Sequence, residues 1–221
     1  MGSPTSLIDG QMTIVADASA VINLNASGCA RDIIRALPNK FVVPADVVDE
    51  LEEGRRRGRQ DAEMLAALVK DRAVEMVELD DDSGAHFERL VVGPAAMTLD
   101  DGEAATIAYA VTHQGLAVID ETKATRLCAR IYPSLPVGCT VDILAHSAVL
   151  QALGRERLAD AVYKALREGR MRVFQRHTRW VLDLIGPERA EGCPSLPRTA
   201  RKAQQAVTPA ANGAAKVNEK G

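Results

Sequence analysis

The chain is expected to form a three-layer α/β/α sandwich around a central parallel sheet, and two features predict this. Short apolar runs, TIVAD from Thr13, FVVP from Phe41 and LAVID from Leu116, alternate with longer stretches of helical periodicity. Strands buried on both faces read as unbroken apolar runs, and strands alternating with helices assemble into parallel sheets covered on both sides. The length agrees, since 221 residues suffice for one well-filled domain with a small appendage.

TIVAD is the first strand. SAVINLNASG follows as a helix-prone turn, and ARDIIRAL as a short amphipathic helix closed by Pro38. After FVVP, Pro44 takes the first-turn position of a helix, where its missing N–H is not needed. In that helix Val47, Val48 and Leu51 form the apolar stripe, Glu50 faces elsewhere, and RRRGR from Arg55 places positive charge at the C-terminus. A helix over 61–70 turns Met64, Leu65 and Leu68 inward, and VEMVEL from Val74 alternates like a half-exposed strand. DDDSGAHFERLVVGP, broken by Gly84, Gly93 and Pro94, reads as a loop. A helix from Asp101 to Gln114 capped by Gly115 leads into LAVID, and ETKATRLCARIY is helical again. A short strand before Thr140, helices over 141–153 and 155–167, and a last helix within 172–185 complete the pattern. Residues 1–11 are expected to be a flexible leader, 12–186 the domain, and 187–221, rich in Ala, Pro, Gly, Asn and Gln, a disordered tail.

Composition narrows the function. With 47 % hydrophobic and 26 % charged residues the chain resembles an ordinary soluble protein, and a net charge of −3 leaves only local basic surface for nucleic acid. Aromatics at 3 % rule out base-stacking platforms as the mode of recognition. No apolar stretch approaches the roughly 18 residues that span a bilayer, and the polar leader lacks a signal-peptide core, so a cytoplasmic protein is expected. Cys29, Cys128, Cys139 and Cys193 form no C-x-x-C pair and read as reduced packing residues.

Acidic residues stand where the chain leaves its strands or enters its helices: Asp17, Glu50, Glu103 and Asp120. Side chains at the carboxyl ends of neighbouring parallel strands converge on one crevice. Carboxylates gathered there repel one another unless protonated or neutralised by a cation, and a hard divalent ion prefers such oxygen ligands. The pattern points to metal-dependent phosphate chemistry. Three of these acids also have a structural explanation: Asp17 as a helix N-cap, Glu50 as part of a solvated acidic face with Asp49, Glu52 and Glu53, and Glu103 in a capping box with Asp100.

The segments VADASAVINL, VPADVVDEL, LDDGEAATIAYA and LAVIDETKATRLCAR, continuing through VGCTVDIL, resemble the PIN-domain ribonucleases, in particular the toxin-like branch of VapC toxins and their DUF3368 relatives. The likeness covers Thr13 to Leu166. It implies Mg²⁺- or Mn²⁺-dependent endonucleolytic cleavage of RNA, and in the toxin branch a cognate antitoxin and a homodimer. By position it makes Asp17, Glu50, Glu103 and Asp120 the carboxylate quartet, with Asp17, Glu103 and Asp120 holding the metal, Asp100 or Asp101 as rivals at the third corner, and Ser19 and Thr140 as supporting hydroxyls. Thr122 stands where many VapC toxins carry a further acid, which leaves a second metal open.

The basic cluster Arg55, Arg56, Arg57 and Arg59 reads either as a solvated helix end or as a guide for the RNA backbone. Asp142 and His146, one helical turn apart, could bind a metal but more often such a pair is a surface hydrogen bond, and His86, His113 and His177 read as isolated and solvent-facing. Three alternatives gather carboxylates or share the fold: a PIN fold without activity that scaffolds RNA or protein, a haloacid-dehalogenase-like phosphatase, and a receiver domain. The phosphatase needs a second Asp two residues after its nucleophile, where this chain has Ser19, and the receiver needs a Lys where Asp120 stands.

Overall fold

The computed structural model describes residues 12–197; the leader 1–11 and the tail from 198 onward lie outside the described residues. Five strands, β1 (Ile14–Ala16), β2 (Phe41–Pro44), β3 (Glu75–Val77), β4 (Leu116–Val118) and β5 (Val137–Gly138), form one sheet in the order β3-β2-β1-β4-β5. Every pairing is parallel. The chain lays β1, β2 and β3 outward in one direction, then returns to the other side of β1 with β4 and β5. That reversal opens a crevice beyond the carboxyl ends of β1 and β4, the point where open α/β sheets take their ligands.

Alternation along each strand sends successive side chains to opposite layers. Ile14, Ala16, Phe41, Val43, Leu116 and Val118 share one apolar cluster, whereas Val15, Val42, Ala117 and Ile119 share the other. The first cluster is covered by α1 (Ala18–Ala26), α2 (Ala30–Ala36), α3 (Ala45–Arg56), α4 (Asp61–Lys70), α9 (Ser147–Arg167) and α10 (Gln175–Ile185). The second is covered by α5 (Asp81–Val91), α6 (Asp101–Thr112) and α7 (Thr122–Ile131). Each large aliphatic side chain buried here contributes roughly 1.5–3 kcal/mol of transfer free energy. The α/β/α sandwich is therefore as expected, and VEMVEL is half exposed because β3 is an edge strand.

Four local expectations are corrected. The segment read as a loop at 80–92 is the helix α5: Asp80 caps it by accepting from Ser83 N at 2.8 Å, and Asp81 and Asp82 lie in its first turn, where the dipole favours acids. Gly84 is tolerated because Phe87, Leu90 and Val91 still pack inward. The helix expected over 141–153 divides into α8 (Thr140–Leu144) and the start of α9, which His146 caps through Nδ1; the anticipated break at Gly154 is a kink inside α9 (φ 72°). The left-handed residue closing α6 is Gln114 (φ 52°), not Gly115. At its far end the chain stays packed beyond 186, with α11 (Pro187–Glu191) followed by buried Cys193 and Leu196.

Gly115 serves instead for close approach. A Cβ there would meet the Thr13 carbonyl oxygen at 2.8 Å, and that oxygen is fixed by accepting Leu116 N. Gly115→Ala is expected to destabilise the protein by about 1–3 kcal/mol, the cost of overpacking against backbone. Urea unfolding should show a lower midpoint at unchanged slope; a midpoint equal to that of the parent would contradict the steric account.

Candidate active site

Asp17 follows β1 and caps α1. Its Oδ1 accepts Ala20 N at 2.7 Å, and Ser19 Oγ reaches both carboxylate oxygens at 2.9 and 2.8 Å. Its capping role and its place at the crevice thus coincide. Asp120 follows β4 and is held from behind by two elements. Thr140 donates its backbone N–H to Oδ1 at 2.9 Å and its hydroxyl to Oδ2 at 2.5 Å, while Asn23 Nδ2 donates to Oδ2 at 2.6 Å. Asp17 is 2 % and Asp120 4 % exposed. A carboxylate oxygen offers about two lone-pair sites. The contacts therefore leave acceptor capacity on Asp17 Oδ2 and on Asp120 Oδ1.

Above this pair opens a cavity of about 450 Å³ lined by Asp17, Ala18, Ser19, Glu50, Asp100, Glu103, Glu121 and Lys123. Glu50 reaches it from α3 and Glu103 from the first turn of α6, where Asp100 caps the helix by accepting Glu103 N at 2.9 Å. α3 and α6 approach closely at Gly102, where a Cβ would stand 2.6 Å from Glu50 Oε2. Glycine at that position admits the Glu50 carboxylate to the cavity.

The electrostatics follow from this crowding. Burial, and next the Asp120 charge, push the Asp17 carboxyl well above the ordinary range, with Glu103 adding to the effect. Burial also raises Asp120, against the opposing hydrogen bonds of Thr140 and Asn23. Glu50 is raised by desolvation and by Asp100, with Arg59 pulling the other way. Glu103 is pushed from 4.5 to about 7, by desolvation first and then by Asp100, Glu121 and Glu50, against the nearby Lys123. The donor set is all oxygen, partly buried and short of positive charge, which fits a hard divalent cation and not a soft metal.

The structure brings Asp17, Ser19, Glu50 and Glu103 to one cavity and sets Asp120 and Thr140 immediately behind its floor. It does not bring Asp101, which is exposed and absent from the lining; Asp100 takes that place. Of the basic cluster, Arg55 pairs with Glu52 at 2.7 Å, Arg57 with Glu53, and Arg59 with Asp61 at 3.0 Å, so most of that charge is balanced within the chain. Asn23 and Lys123 join the site without having been singled out as its members, and Glu121, which reads as a first-turn helix acid or a contributor to the site, lines the cavity. Asn23 had one available signal, an amide set between the apolar Ile22 and Leu24. Lys123 carried no such signal.

His177 corrects the sequence reading: it is 1 % exposed, with Nε2 3.0 Å from Asp142 Oδ1. Asp142 is buried and contacts Arg176 and His177; the surface bond expected with His146 is replaced by the His146 cap on α9. Cys139, Asp142 and His177 are the one trio of such side chains among the described residues whose ligand atoms all lie within 4.8 Å of one another. The cavity carboxylates are spaced more widely. Cys29, Cys128, Cys139 and Cys193 are in no disulfide, as expected.

A family match decides the classification: residues 13–187 match DUF3368, a PIN domain. The chain belongs to this PIN-domain family. Neither the comparison with curated proteins nor that with solved structures returns a match. A PIN domain is a nuclease-type fold, and the family sets aside the phosphatase and receiver alternatives. Among the described residues of this PIN domain, no helix is long and apolar enough to cross a membrane.

The raised Glu103 carboxyl makes a signed prediction. Its folded pKa lies above its ordinary value, so the native state keeps a proton that the unfolded chain releases between 4.5 and about 7. Stability must fall as pH rises through that window. In chelator-treated protein the thermal midpoint should drop across it, and Glu103→Gln should flatten the slope. A parent whose midpoint climbs relative to the variant over the same range would refute the assignment.

Proposed function

We propose that this PIN domain is an Mg²⁺- or Mn²⁺-dependent endoribonuclease that hydrolyses RNA phosphodiester bonds, and that it is the toxin of a type II toxin–antitoxin pair acting in the cytoplasm. The observation that carries the nuclease reading is the convergence of Asp17, Glu50 and Glu103 on one cavity with Asp120 directly beneath it, all four with carboxyls raised by burial. The choice of RNA and the toxin role rest on the resemblance to VapC toxins.

Asp17 and Asp120 supply the fixed oxygens for the metal, and Glu103 faces them from α6. Asp101, exposed and outside the cavity lining, gives way to Asp100 as the supplementary acid. Once bound, such an ion supplies an activated water and neutralises charge on the phosphoryl oxygens for in-line displacement. Ser19 and Thr140 orient the two aspartates by donating to them. Glu50 closes the opposite wall. Lys123, the one cation on the cavity lining among the described residues, offers its ammonium to a backbone phosphate. Of the arginine cluster, Arg56 has no ion-pair partner among the described residues and is left for RNA guidance.

Purified protein mixed with labelled RNA and Mg²⁺ or Mn²⁺ should cleave it, and Asp17→Asn and Asp120→Asn should lose more than the roughly 10–100-fold that removal of an outer-shell partner costs. Equal cleavage by all three proteins would overturn the assignment. A PIN fold without activity would show RNA or protein binding and no cleavage in the parent.

The toxin role carries its own expectations: a homodimer in solution, and an antitoxin whose peptide covers the acidic cavity with a basic side chain. Expression should arrest growth, and co-expression of the neighbouring open reading frame should relieve the arrest. Normal growth on expression of the active parent would remove the toxin role and leave the nuclease intact.

A further inference from the structure

Behind Asp120 lies a second polar cluster with no part in the scheme above. Asp142 is 1 % exposed, and its Oδ2 accepts three hydrogen bonds: from Cys139 N at 2.9 Å, from the Cys139 thiol at 3.1 Å and from Arg176 Nη2 at 3.0 Å. His177 Nε2 stands 3.0 Å from Oδ1. Arg176 and His177 belong to α10, and the Arg176 guanidinium is steadied over the Phe174 ring at 5.1 Å. Cys139 directly precedes Thr140, whose N–H and hydroxyl both hold Asp120. The bond from Cys139 N to Asp142 is the returning half of a capping box, which fixes the turn that aims Thr140.

We infer that Asp142, anchored to α10 by Arg176, is a positioning residue that sets the direction of the Asp120 carboxylate through the Cys139–Thr140 turn. The inference rests on the proposed metal role of Asp120. A burial this deep is a costly way to gain stability. Buried ion pairs are matched or exceeded by apolar packing of the same volume, and Asp142 Oδ1 and both ring nitrogens of His177 are left without a hydrogen-bond partner. What such a cluster adds is a unique geometry, and the geometry here ends on Asp120. A metal bound by Cys139, Asp142 and His177 is the competing reading. The guanidinium already fills that role: Arg176 Nη2 is 3.0 Å from Asp142 Oδ2 and 3.7 Å from Cys139 Sγ, and the thiol donates to the carboxylate.

The test compares full-length parent, Asp142→Asn, Arg176→Met and Arg176→Lys. Mn²⁺ affinity is read by electron paramagnetic resonance, RNA cleavage as kcat and KM over a Mn²⁺ series, and folding by a cooperative thermal melt. Asp142→Asn should weaken Mn²⁺ binding roughly 10–100-fold, with KM for RNA near the parent value and kcat recovering at high Mn²⁺. Arg176→Met, altering a half-exposed side chain that leaves the core intact, should weaken binding several-fold, and Arg176→Lys should restore it. Parental Mn²⁺ affinity in a folded Asp142→Asn or Arg176→Met protein overturns the inference alone. A parent that binds no Mn²⁺ overturns it together with the nuclease reading. Stoichiometric zinc in the purified parent, lost in Cys139→Ser, would assign the cluster to a metal and overturn positioning by Arg176.

Discussion

Two carboxyl groups buried next to each other at the ends of adjacent strands are the constraint around which this molecule is organised. The parallel sheet reverses direction between β1 and β4, so the residues leaving those strands must meet, and here both are aspartates. Desolvation and mutual repulsion act together on Asp17, and the hydrogen bonds it accepts from Ala20 and Ser19 only partly offset them. A sequence optimised for stability alone would place an apolar residue or an opposite charge there. Natural chains break such local rules mainly at functional sites. The repulsion is therefore the clearest physical sign of what the crevice is for, and the family supplies the same indication independently.

The carboxylates differ in freedom. Asp120 takes three donors from two elements and stays beneath the surface, whereas Asp17 is held through its own helix turn and faces the cavity. Glu103 is half-buried on the first turn of α6, and Glu50 is exposed at the end of a flexible side chain. The floor is set by the fold and the rim is adjustable. The wide spacing of the rim acids accords with this, since uncompensated like charges separate when their side chains allow it. A site so arranged can adjust to a cation without moving the sheet.

Much of this was legible in the sequence because strand ends are easy to read. VAD and VID each close a continuous apolar run, and that pattern alone puts Asp17 and Asp120 just beyond the ends of β1 and β4. Glu50 and Glu103 needed the family resemblance, because both lie in acidic stretches where a solvated face or a capping box explains them as well. Contacts between segments distant in sequence were not legible. Asn23 reaches Asp120 across 97 positions, and no local pattern reports such a pairing. His177 read as solvent-facing because it sits between Arg176 and Thr178, although α10 turns that one position inward. The helix α5 was missed for a different reason: Gly84 and the Asp80–Asp82 run look like a loop until Asp80 is recognised as a cap.

The proposed RNA substrate poses a separate electrostatic problem. An acidic cavity repels a polyanion, and arginines at the end of α3 are in large part tied to Glu52, Glu53 and Asp61. Aromatic stacking is scarcely available at 3 % aromatic content. Among the described residues Lys123 lines the cavity and its Nζ also donates to Ala95 O at 2.9 Å, while Arg172 bonds the hydroxyl of the adjacent Thr122. Two such cations can orient a phosphate but cannot cancel a cluster of carboxylates. A bound divalent ion would therefore reverse the local field before it assisted any bond cleavage, and affinity for the backbone and rate of hydrolysis would rise together with its occupancy.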